Sequence, residues 1–127
     1  MTQGITLKGK FNVMEITSLL ANISYAENHP SAQVLINNDY SKEIRIVFRE
    51  GQEMKAHKAP YPIVIEVVDG FIDFGVDNQR HDLPKGSLIS LESNVVHDLK
   101  ASVNSIVRLS LYKGDQVERV QQAVKGN

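Results

Sequence analysis

The residues in this chain best able to do chemistry are four histidines: His29, His57, His81 and His97. Imidazole titrates near neutral pH, binds metals through either nitrogen, and can both donate and accept hydrogen bonds. His29 sits in Glu27-Asn28-His29-Pro30, a loop by composition, and reads as an exposed loop residue. His81, in Arg80-His81-Asp82-Leu83, follows a turn and also reads as exposed, although alternation with Leu83 leaves an inward orientation near a rim open. His57 and His97 fall in strands or strand starts on either side of a central apolar segment. In an antiparallel barrel alternate residues face inwards, so two such positions can converge on one interior point. On spacing alone, a lone histidine pair fits a structural or rim role better than a working site.

Other chemistry-bearing patterns are missing. The chain contains no cysteine, so thiolate metal sites, disulfides and cysteine nucleophiles are excluded. No G-x-S-x-G, P-loop or H-E-x-x-H string occurs, which removes support for hydrolase, nucleotide-binding and metallopeptidase readings. With 14 basic and 15 acidic residues, a net charge of −1 and no long run of one sign, nucleic acid and membrane surfaces are not expected partners. Tyrosine and phenylalanine number four each and do not cluster with basic residues, as base stacking would require. No apolar run is long enough to span a bilayer, and the N-terminus does not read as a signal peptide, so a cytoplasmic location is expected.

The elements that must position the histidines are mostly strands. At 127 residues the chain has room for one domain. Residues 43–49 form a β-rich run ending at Glu50-Gly51, and Ile63 to Val68 form a β-branched run ending at Asp69-Gly70. Phe71 to Phe74 restarts at once, predicting a hairpin. Asp77-Asn78 and Pro84-Lys85-Gly86 mark further turns, and 87–91, 95–99 and 105–112 have strand length. Such closely spaced turns predict an all-β barrel or sandwich. Residues 13–20 read as a short helix or an irregular lead-in. Val117, Val120 and Val124 recur at helical spacing after Asp115, a candidate N-cap. The expected organisation is a lead-in over 1–38 with a strand or short helix packed on the barrel, a barrel over 39–113, and a short amphipathic helix or tail over 114–127.

Within this frame the segment Gly51 to Gly70 resembles the first cupin motif, G-x5-H-x-H-x3–4-E-x6-G, with Gly51, His57 and Gly70 in place. The second motif, G-x5-P-x-G-x2-H-x3-N, is matched by Gly86 and His97. The resemblance covers about residues 43–112 and implies a single cupin-type double-stranded β-helix, or jelly-roll, barrel with a short C-terminal helical segment. In cupins the two histidines and glutamate of the first motif and the histidine of the second usually hold a divalent metal. Here the second histidine position is Ala59 and the glutamate position is Ile63, while Glu92, Asn94 and Ala101 replace the proline, glycine and asparagine of the second motif. Asn94 suits a turn, since asparagine tolerates the left-handed conformation. The resemblance therefore implies an intact scaffold around a reduced metal site.

Altering even a supporting partner of a metal ligand typically weakens binding about 10–100-fold, and losing two direct ligands costs more. No tightly held metal is expected. The alternative is zinc, nickel, iron or manganese held weakly by His57 and His97. Alternation turns Glu66 and Asp98 outward, so neither replaces the missing carboxylate. A cupin interior would be lined by His57, Ala59, Ile63, Ile65, Val67, His97 and Leu99, which fits a small-molecule pocket or a filled core. The leading expectation is a barrel that binds a small molecule. A metal-dependent dioxygenase or isomerase with a two-histidine site is the alternative, and a dimeric structural or interaction module is the third. Exposed sheet edges favour a homodimer.

Overall fold

The computed structural model describes residues 13–112 and 117–126. Among the described residues nine strands and one helix follow in order: β1 (Ser31–Asn37), β2 (Ser41–Phe48), β3 (Glu53–His57), β4 (Ile63–Asp69), β5 (Phe71–Val76), β6 (Gln79–Pro84), β7 (Leu88–Leu91), β8 (His97–Ala101), β9 (Ser105–Tyr112) and α1 (Val117–Lys125). They form two antiparallel sheets, one in the order β1-β2-β9-β4-β7 and the other β3-β8-β5-β6. The inner faces of the sheets share one core. β4 shows how the sequence builds it: Ile63, Ile65 and Val67 are buried, while Val64 between them is exposed. Alternate β-branched residues fill the space between the sheets, as the pleat dictates.

The predicted hairpin at Asp69-Gly70 does not form. β4 pairs with β7 and β9, whereas β5 pairs with β6 and β8 in the other sheet. Gly70 is therefore a corner at which the chain changes sheets. Its φ is +90°, and a Cβ there would lie 2.3 Å from Ser105 Oγ and 2.6 Å from the Asn104 carbonyl oxygen. Buried Ser105 ties the corner down: its Oγ accepts from Phe71 N–H at 3.1 Å and donates to Val103 O at 2.7 Å. A glycine-aspartate pair signals a reversal of direction, but only the crossing neighbour shows which sheet the chain enters.

The hairpin that does form at Asp77-Asn78 joins β5 and β6, with both turn residues left-handed (φ 54° and 60°). The sequence-predicted lead-in contains β1, which pairs along β2 as an outer strand. Residues 13–20 are irregular, not helical. Ser18 to Asn22 is instead held by the buried Arg45, whose guanidinium donates to the carbonyls of Ser18, Leu19, Ala21 and Asn22 and to Gln33 Oε1. Burial pushes the Arg45 guanidinium down from its ordinary value. The helix foreseen at the C-terminus is α1, packed on β1 and β3 with Val120, Ala123 and Val124 buried. Its candidate cap, Asp115, lies outside the described residues. No described helix is long and apolar enough to cross a membrane.

Candidate functional site

The two central histidines meet. His57 on β3 is the register partner of His97 on β8, and their ring centroids are 4.3 Å apart with planes tilted by 59°. This depends on an irregularity in β3. Met54 pairs with Leu99 and His57 with His97, so Lys55 and Ala56 together oppose Asp98 alone. Strict alternation from buried Met54 would turn Ala56 inwards and His57 outwards. The extra residue of the bulge reverses that, leaving Ala56 exposed and aiming His57 at the interior.

Each ring is oriented by the backbone just before it. His57 Nδ1 lies 2.6 Å from Lys55 O, and His97 Nδ1 lies 2.9 Å from Val95 O. A carbonyl oxygen only accepts, so Nδ1 of each ring carries the proton and donates it. In the neutral rings that places the lone pair on Nε2. His97 is 3% exposed and also lies against Phe74, with centroids 5.8 Å apart and planes 26° from parallel. His57 is half-buried.

Around the pair the wall is aliphatic. Of the residues expected in the interior, His57, Ile63, Ile65, His97 and Leu99 line one cavity. Ala59 and Val67 do not line it: both are buried in the surrounding core. Ile46, Met54, Val107 and Leu109 complete the strand walls, and Val120 of α1 contributes a further wall. Alternation along β2, β3 and β9 could have identified the first four. Val120 carried a helical-spacing signal, but only tertiary packing decides that this helix face reaches the cavity. With α1 in place the cavity measures about 10 Å³, room for roughly one water molecule.

Main-chain hydrogen bonds join the two motif segments. Gly51 N–H donates to Ala101 O at 2.8 Å, Asn94 N–H to Ala59 O at 2.7 Å, and Gly86 N–H to Val67 O at 2.7 Å. The two motif segments thus hold one another through main-chain bonds that survive replacement of the side chains. Gly51, Gly86 and Asn94 all have the positive φ their positions need (88°, 92° and 64°).

The metal-binding half of the motif is a different matter. Ile63 faces the cavity where the motif has its glutamate, and Ala59 is buried nearby without a donor. Glu66 instead meets Arg108 at 3.4 Å, and Asp98 pairs with Arg80 at 2.8 Å. The hydrogen bonds of Asp73 and then Asp98 hold the Arg80 guanidinium above its ordinary value. Among the described residues no group of three or more histidines and carboxylates converges on a metal-sized point. Two imidazoles fall short of the three protein ligands of a catalytic zinc site, so the described residues do not fit a tightly held metal. The remaining histidines stand apart: His81 is exposed on β6, and His29, expected to be exposed, is half-buried with Nδ1 2.7 Å from Pro30 O.

No family model matches the chain, and no curated protein matches it. Solved structures do. An RmlC-like cupin from Desulfovibrio desulfuricans superposes with a TM-score of 0.70 at 18% identity, covering 78% of this chain and 96% of that one. A conserved protein with a double-stranded β-helix domain from Klebsiella pneumoniae gives 0.71 at 18%, covering 78% and 90%. An RmlC-like cupin from Shewanella frigidimarina gives 0.63 at 22%, covering 68% and 78%. Taken with the two-sheet topology and the interlocked motif segments, these similarities show that the chain has the fold of a small cupin jelly roll.

Proposed function

We propose that this protein binds a small molecule in the barrel interior, one with an apolar body and a single hydrogen-bonding group, without a tightly held metal. The observation that carries this reading is the facing of His57 and His97 inside an otherwise aliphatic wall. Placing polar rings in a core is costly unless their hydrogen bonds are met, and aliphatic side chains would fill the same volume without that cost. Both rings have their orientation preset by a backbone carbonyl, as a recognition site needs. Both are also already engaged within the chain, so ligand binding is an exchange of partners at the imidazoles.

The test compares 4-methylphenol with toluene, which has the same outline but no hydroxyl, by NMR titration of the Ile63 and Ile65 methyl groups. One hydrogen bond is worth about 1 kcal/mol net, so the wild-type protein should prefer 4-methylphenol by about five- to tenfold. His57→Phe and His97→Phe keep a ring in each position and should bring that preference close to one. Equal affinity for both probes in the wild type, or no interior shift at millimolar probe, would overturn the reading.

A further inference from the structure

The cavity beside the histidines is too small for any organic ligand as long as α1 stays docked. Its described walls are unequal in what they can do. Those contributed by β2, β3, β4, β8 and β9 belong to strands fixed on one or both sides by antiparallel ladders. Moving one of them would break several main-chain hydrogen bonds together. The remaining described wall is Val120 of α1, which is 1% exposed. α1 is a nine-residue helix outside both sheets. Among the described residues it is held by the burial of Val120, Ala123 and Val124 and by a hydrogen bond from Gln121 Nε2 to Ala32 O at 3.2 Å. An isolated helix this short has little stability of its own, so its docking depends on that small apolar face. Segments with few buried contacts are the ones that open at the lowest free energy.

We infer that α1 is a displaceable plug: Val120 occupies space that the ligand needs, so docking of α1 and ligand binding at His57 and His97 exclude one another. This rests on the small-molecule reading above and adds to it a built-in competitor and a route of entry. The apparent affinity is then the intrinsic affinity reduced by the fraction of molecules with α1 undocked. Weakening the plug strengthens binding, although no residue that recognises the ligand has changed. Occupancy of the interior is also reported at the surface, through release of the C-terminal helix.

The test uses the full chain and 4-methylphenol as probe, with wild type and Val120→Ala compared by NMR titration and amide hydrogen exchange. Removing two methyl groups from the plug should tighten probe binding at least tenfold in Val120→Ala. In the wild type, saturation should speed exchange of the α1 amides from Gln121 to Val124 at least tenfold, while the amides of β2, β4 and β9 keep their protection. Interior methyl shifts with unchanged α1 exchange and equal affinity in both proteins would overturn the plug while leaving the binding reading intact. Absence of interior shifts in both proteins would remove the binding reading, and the plug with it. If Val120→Ala does not fold, wild-type exchange with and without probe decides the question alone.

Discussion

His57 and His97 are set apart less by their own chemistry than by their neighbours. Nδ1 of each is committed to a carbonyl two residues earlier in the chain, an arrangement that would also suit a metal ligand through Nε2. What the described residues lack is the third ligand: the positions that would supply it hold Ala59 and Ile63. Protein purified without a metal-affinity tag should therefore carry far less than one equivalent of zinc, nickel, iron or manganese by elemental analysis. A stoichiometric metal lost on replacing either histidine by alanine would refute this, and would restore the dioxygenase or isomerase alternative. The absent ligands at 59 and 63 were readable directly from motif spacing. The contact between the two rings was not, because it depends on strand register.

At the scale of elements, two local devices decide where side chains point. The bulge in β3 sets His57 facing inwards, and nothing in Glu53-Met54-Lys55-Ala56-His57 announces it. The Gly70 corner sends β5 into the second sheet. It differs from the other left-handed glycines, since a Cβ at Gly86 or Gly51 would meet nothing within 4 Å, whereas one at Gly70 would strike the backbone at Asn104 and Ser105. Gly70→Ala should accordingly cost at least about 3 kcal/mol, combining backbone strain with a clash that cannot relax. Gly86→Ala should cost only about 1–2 kcal/mol, the left-handed penalty alone. Urea unfolding of the two variants checks the difference, and equal destabilisation would show that the corner is not tightly packed. The strands themselves were legible where a β-branched run ended at a turn, as in β4, or where apolar residues alternated, as at Val107, Leu109 and Leu111 of β9. β1 was expected only as a strand or short helix somewhere in residues 1–38, because Leu35 alone of its residues is buried and the pattern carries almost no period.

At the scale of the whole molecule, the N-terminal segment raises the question of a partner. Val13, Met14, Ile16 and Leu20 are exposed, Val13 by 91%, on a stretch whose later residues Arg45 grips through four carbonyls. A segment pinned to a sheet with its apolar side chains outward is poorly suited to remain in water. It lies beside β1, an outer strand whose edge also needs cover. We propose that a second copy of the chain covers it. Light scattering at micromolar concentration should give twice the chain mass, and Leu20→Glu should shift the protein towards monomer without lowering the unfolding midpoint of the barrel. A monomeric wild type would contradict the homodimer.

The amino-acid sequence by itself determined the fold class, most of the strands and the C-terminal helix. Each of these follows from local information: alternation, turn residues and the spacing of motif positions along one chain. Tertiary structure alone decided that Asp69-Gly70 joins two sheets, that His57 faces His97, and that Val120 lines the cavity beside them. Those outcomes depend on bulges, register and the docking of one element on another. Their energies arise between residues distant in sequence, and no single segment encodes them.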